Sequence, residues 1–440
     1  MPLLLPVAEV YKLFAFSGAL YYGGAAFDAL GCPALVGEIL VGMLLGPQAA
    51  EFLSADLVAS LQVAGQAGLC LMVLEGGISM EASVLREKGV RAVVLAATGT
   101  ALPVLLGWAA MLAMGESVYS ALASGIALSS TAIGFTMRMM TEMNLLSTPE
   151  GQLITAAAMI DDVFSLILLS MLSVLKDEAL DEEGSGAEAD GLWRAWTICR
   201  PLLASLIVSL FSVACFFVVE AFSPALGTRI GRWPHRLRTA VEERKEELIL
   251  LVLIGGGVCA AWLSDGLYST LLLGIFGVGA AFCTQPVARD AWRHVAPVQL
   301  WASRFFFGAT VGFQIPVRDL FRGGNLGPGL LLTLVAILGK WLSGAWGVNI
   351  FHDGKFAGKV YWGTFMRVGC AMIGRGELGF QLATTARNDG IITSEAYSAT
   401  IWALLLATLL GPYAFRLSMK LTPCGLQKLS STADPPISSA

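Results

Sequence analysis

The sequence predicts an all-α, polytopic membrane protein with about thirteen transmembrane helices. Three observations predict it. Of the 440 residues, 56% are hydrophobic and only 14% are charged, against roughly 25% charged in a soluble chain. Mean hydropathy is +0.70, which is more apolar surface than one water-compatible core can bury. At about 20 apolar residues per crossing, the stretches between charged or turn-rich breaks supply the spans with short loops. The same balance excludes a disordered or nucleic-acid-binding chain, which would be polar or basic.

Taken in order, the spans fall near 8–31, 33–48, 57–79, 91–114, 117–141, 150–175, 197–223, 247–265, 267–284, 299–316, 326–350, 359–387 and 392–419. The first contains Gly23, Gly24 and Asp28, so part of it is expected to be irregular. The second is short and glycine-rich and is expected to cross only in part. The 49 glycines and 17 prolines are dispersed, as packed transmembrane helices tolerate. The eight cysteines have no CxxC spacing and mostly sit in apolar runs, which reads as buried thiols. No HExxH, GxSxG or P-loop pattern occurs, so the sequence does not read as an enzyme and implies no cofactor.

Orientation follows from the basic residues. With thirteen spans, sixteen Lys and Arg fall on one side and five on the other. The richer side is cytoplasmic, which puts the C-terminus inside and the N-terminus outside or in a lumen. The longest outer loop, 176–196, is acidic and rich in Gly and Ser. It reads as a solvated, flexible loop rather than a cation-attracting vestibule. The tail, residues 422–440, is Ser/Pro-rich and is expected to be disordered.

A faint internal echo is present. PALVGEILVGMLLGP resembles LYSTLLLGIFGVGAA, and LCLMVLEGGISM resembles FFFGATVGFQIPVR, with Gly42 and Gly277, and Gly77 and Gly312, both 235 residues apart. A duplication would divide residues 1–421 into a first repeat, 1–175, a linker helix, 197–223, and a second repeat, 247–421. The odd helix between them gives inverted topology, a common construction of secondary transporters.

Ionisable groups placed mid-span carry the chemistry, since each costs a few kcal/mol at the bilayer centre unless paired, hydrated or useful. Asp161 and Asp162 lie in AAAMIDDVFSLILL with apolar sequence on both sides. Neighbours on a helix point about 100° apart, so one carboxylate can face a hydrated cavity and the other a partner helix. A hydrated mid-membrane carboxylate holds a proton or a small cation. Lys340, in LVAILGKWLSG, needs a counter-charge, which the aspartate pair offers. Arg375 and Glu377 lie in IGRGELGF, where the glycines make a regular helix poor. There they would satisfy or neutralise half-helix ends, a structural role favoured over direct transport. Ser129, Ser130 and Thr131 either bond back to their own helix or mark an unwound crossing whose oxygens ligate a cation. The 235-residue offset sets this segment opposite the Arg375 region. Glu38 and Glu75 also lie in apolar runs, with no partner in view.

These segments, in this order, resemble the cation:proton antiporter superfamily, specifically its branch of Kef-type and NapA-type sodium/hydrogen exchanger domains. PALVGEILVGMLLGP, ALSSTAIGFTMRMM, AAAMIDDVFSLILL, LGKWLSG and IGRGELGF all match its motifs. The resemblance implies an NhaA-like fold, with a panel or dimerisation domain and a core crossed by two discontinuous helices, and it implies a homodimer. It implies that Asp162 binds the cation and the proton, and that Asp161 is ion-paired to Lys340. Thr131 and Ser130 would sit at one helix break, with Arg375 and Glu377 near the other. The expected function is secondary-active exchange of Na⁺ or K⁺ for H⁺ by alternating access, with the ions as cargo and the bilayer as surroundings. Alternatives on the same fold are a channel-like or uniport K⁺ pathway and a non-transporting membrane sensor. The cytoplasmic nucleotide-sensing domain usual in Kef systems is not in this sequence.

Overall fold

The computed structural model describes residues 7–132, 137, 140, 141, 143, 145, 146, 148–184, 191–230, 239, 242–320, 323–347 and 359–421. Among these, every regular element is helical. The helices are α1 (Val7–Ala29), α2 (Ala34–Leu45), α3 (Ala55–Ile78), α4 (Ala82–Ala113), α5 (Val118–Ala127), α6 (Pro149–Gly184) and α7 (Gly191–Ile230). Then come α8 (Lys245–Gly266), α9 (Leu271–Ala281), α10 (Pro286–Phe305), α11 (Gly323–Ser343), α12 (Lys359–Ala371), α13 (Glu377–Asn388) and α14 (Ser394–Leu421). Each expected span overlaps at least one of them. Among the described residues, seven helices are long and apolar enough to cross a membrane by length and composition, while α2, α5 and α9 are shorter apolar helices.

Local chemistry sets the short helices. The Ser117 hydroxyl caps α5 by accepting from the Ser120 amide at 3.2 Å, and Thr270 caps α9 by accepting from the Leu273 amide at 3.4 Å. Each cap satisfies one of the four amides left free at a helix start. Proline stands just before α2 and opens α10, where its missing amide costs nothing. Gly390 takes φ +75° just beyond α13, a conformation a side chain would resist.

Several expectations are corrected. α1 is one uninterrupted helix through Gly23 and Gly24. The acidic loop is much shorter than 176–196, because α6 continues to Gly184 and α7 starts at Gly191. Ala, Leu, Lys and Glu are good helix formers, so acidity alone does not stop a helix. Residues 185–190, Gly134 and the tail at 422–440 lie outside the described residues. The tenth span begins at Pro286, so Arg289 and Arg293 are helical rather than loop residues. Its far end passes into a π-helical turn, Phe306–Val311, where Gly308 packs so closely that a Cβ on Gly42 would collide with its carbonyl.

The helices pack as two bundles. α1, α2, α3, α8, α9 and α10 lean on one another, and α4, α5, α6, α11, α12, α13 and α14 form the second. α7 lies against α6 on one side and α9 on the other. The second bundle holds every mid-span charge that the sequence singled out, apart from Glu38 and Glu75.

Candidate ion-binding site

Two helices break inside the second bundle, and their breaks meet. α5 stops at Ala127, and Ser130, Thr131 and Ala132 are not helical. Facing them, residues 372–376 separate α12 from α13. The Ala132 amide donates to the Gly374 carbonyl at 2.9 Å, so the breaks share a backbone hydrogen bond. At Gly376 a Cβ would lie 2.7 Å from the Thr131 carbonyl oxygen, so the close approach depends on glycine at this position.

A broken helix leaves carbonyls without partners. Arg375, fully buried, supplies a donor to one of them, Nη1 to the Ser130 carbonyl at 3.3 Å, and its Nη2 donates to the Ala336 carbonyl, within α11, at 2.5 Å. The hydroxyls of the first break divide. Ser129 bonds back to the Ile126 carbonyl at 2.7 Å. Ser130 Oγ and Thr131 Oγ1 are buried with no hydrogen-bond partner among the described residues, which leaves both oxygens open to a ligand. Glu377 opens α13 and is half-buried, where the helix dipole favours its negative charge.

The two aspartates on α6 meet different surroundings. Asp161 is fully buried; Lys340 Nζ donates to its two oxygens at 3.0 and 2.9 Å, and Thr100 Oγ1 donates to Oδ1 at 2.6 Å. Lys340 is equally buried, so the pair compensates charge in the interior. Asp162 is half-buried, and no hydrogen bond or ion pair holds its carboxylate among the described residues. Glu377, Asp161 and Lys340 are the charged groups that act on it electrostatically. The arrangement therefore offers one anchored carboxylate beside a free one, with unpartnered hydroxyls at the neighbouring break.

Some polar residues escaped the sequence reading. Thr100 is one; a threonine in an apolar helix carries no signal by itself. Glu150, at the start of α6, is gripped by Arg367 of α12 through Nε at 2.6 Å and Nη2 at 2.5 Å, and by Thr364 Oγ1 at 2.7 Å. An arginine inside the expected span 359–387 was the available clue. Glu38 pairs with Arg304 at 3.3 Å, in the first bundle. Glu75, half-buried on α3, acts electrostatically on Glu377.

A sequence model of the family described as sodium/hydrogen exchanger, transmembrane, matches residues 14–419. The chain belongs to this family. The exchanger-family chain is 24% identical over 384 residues to a Na⁺/H⁺ antiporter of Enterococcus hirae, covering 87% of this chain and 90% of that protein. It is 25% identical over 402 residues to K⁺ efflux antiporter 4 of Arabidopsis thaliana, covering 90% of this chain but 61% of that protein. Among solved structures it is similar to the sodium proton antiporter MjNhaP1 of Methanocaldococcus jannaschii. The TM-score is 0.63 at 16% identity, over 95% of this chain and all of the other. That likeness establishes a shared helical fold for this exchanger-family membrane protein.

Proposed function

We propose that the chain is a secondary-active antiporter exchanging a monovalent cation, Na⁺ or K⁺, for protons, and that Asp162 is the carboxylate the two share. One observation carries this reading: beside a fully buried Asp161 that accepts three hydrogen bonds, Asp162 keeps some exposure and has no partner among the described residues. A carboxylate left free deep in a membrane protein is costly, and an incoming ion supplies what it lacks. The unpartnered Ser130 and Thr131 oxygens support a shared cation site, with Asp162 as the charged ligand. Lys340 and Arg375 compensate charge around it, and Glu377 adds negative potential.

Exchange follows from competition. Charged Asp162 binds the cation, and protonated Asp162 releases it. The second bundle moves when the carboxylate is neutralised by either ligand, because carrying a bare charge through an apolar barrier is expensive. No resident cofactor takes part. The repeat boundaries at 1–175 and 247–421, an outside N-terminus, a cytoplasmic C-terminus and a homodimer belong to the same reading.

Proteoliposomes with an internal pH dye test it. Asp162→Asn is expected to abolish cation-dependent proton flux, and normal flux in that variant overturns the assignment. Competition also fixes a sign: lowering pH raises the apparent KM for the cation, by up to about tenfold per pH unit where the proton dominates. A KM that ignores pH removes the shared-site mechanism.

A further inference from the structure

One apolar cavity is not used by this mechanism. It has a volume of about 360 Å³ and lies where α4 and α6 of the second bundle face α9 of the first, with α7 along its side. Its α6 wall includes Ile160 and Val163, which flank the aspartate pair in sequence.

The cavity runs along the helices. One end is lined by Met80, Ala82 and Cys283, where α3 ends, α4 starts and α9 ends. Helices turn back at the membrane surface, because irregular backbone is not tolerated against hydrocarbon. Arg289 Nη2 closes this end, donating to the Met80 carbonyl at 3.3 Å and the Cys283 carbonyl at 2.9 Å. The other end reaches Ser209, two helical turns or about 10 Å along α7 from Phe216.

The interior offers water few partners. Ser209 and Ser212, on its α7 wall, donate back to the Ser205 and Val208 carbonyls, both at 2.8 Å. A cavity with apolar lining stays dry and takes an apolar guest; left empty, its walls would forfeit dispersion contacts. One rim is open sideways: Val213 and Phe217, both on α7, are more than half exposed. In a bilayer, what lies against such a rim is the acyl chain of a lipid.

The surface end adds charge. The exposed Arg86 side chain lines it, with Nη2 donating to Glu220 at 3.1 Å and the guanidinium 5.9 Å from the Phe216 ring centroid. With Arg289, two guanidinium groups there stand against the one Glu220 carboxylate. A guanidinium carries five N–H donors in a fork that suits phosphate, so one bond to Glu220 leaves others for a head group. A cation at the surface followed by an apolar shaft matches a phospholipid from phosphate to chain.

We propose that this cavity seats one acyl chain of a membrane phospholipid, with the lipid's phosphate at Arg86. The seated chain touches walls of both bundles, so it restrains their movement and slows exchange. The restraint rests on the antiport reading; the binding does not.

The test uses the full chain in proteoliposomes containing a phosphatidylglycerol with a diazirine midway along one acyl chain. After illumination and digestion, peptides spanning 209–217 and 273–283 are expected to carry about tenfold more label than those around the exposed α8 residues Leu251 and Trp262. A diacylglycerol with the same diazirine chain lacks the phosphate and is expected to label the cavity about tenfold less. Arg86→Gln is expected to erase that difference. Val213→Trp, which narrows the open rim, is expected to remove the cavity label while cation-dependent proton flux persists, showing that the variant folds. Equal labelling of cavity and α8 means annular lipid only and overturns the site, as does label that persists in Val213→Trp. Equal labelling by the two probes overturns the contact with Arg86. Flux after illumination is expected to fall in proportion to the cavity label, and not to fall in Val213→Trp. Unchanged flux in a heavily labelled sample overturns the restraint. Normal flux in Asp162→Asn would remove the Asp162 assignment and leave the labelling map to decide the site.

Discussion

Asp161 and Asp162 are chemically the same, and their neighbours give them different work. Lys340 and Thr100 hold Asp161 in place, whereas the next carboxylate has no hydrogen-bond or ion-pair partner among the described residues. Breaking a buried ion pair from one side leaves an uncompensated charge, at about 3–5 kcal/mol. Lys340→Ala is therefore expected to lower the thermal midpoint in detergent strongly, whereas Asp161→Asn combined with Lys340→Met recovers most of the loss. A double variant that loses the sum of the two single effects would show that the pair does not act as a unit. Mid-span charges were legible in the sequence because each is expensive in a bilayer and so conspicuous. Their partners were not: which carboxylate Lys340 meets is fixed by helices far apart in the chain, and Arg367 reaches Glu150 across more than two hundred positions.

At the scale of elements, the decisive feature is that two interruptions touch. Glycine at 376 permits it, since a Cβ there would meet the Thr131 carbonyl at 2.7 Å, while a Cβ at Gly374 would make only ordinary contact with Ala132 Cβ at 3.8 Å. Overpacking a tight contact costs about 1–3 kcal/mol. Gly376→Ala is thus expected to depress both transport and thermal stability, and Gly374→Ala to change little; equal effects would remove the backbone approach as the cause. The second interruption was readable from the glycines around Arg375, and the first from three adjacent hydroxyls. The continuation of α6 to Gly184, the unbroken α1 and the π-helical turn at Phe306–Val311 were not readable. Charge density and glycine content signal water and freedom, whereas the helix there follows from local propensity or from packing against a neighbour.

At the scale of the molecule, two helical bundles meet along α6, α7 and α9, and the candidate site lies in the bundle that contains both interruptions. Sidedness gives the matching prediction. With sixteen basic residues against five, a protease added outside intact cells is expected to spare a C-terminal tag and to cut it only once the membrane is opened. Cleavage in intact cells would reverse the orientation.

The sequence by itself determined the solvent, the helical class and the costly residues, because a bilayer penalises each buried charge and each unsatisfied backbone group whatever the tertiary arrangement. Those penalties are properties of composition and spacing, so they can be read along the chain. Only the tertiary structure decided which aspartate is satisfied and which lacks a partner among the described residues, and where the two breaks touch. Those outcomes depend on distances between helices remote in sequence, and no local pattern encodes such a distance.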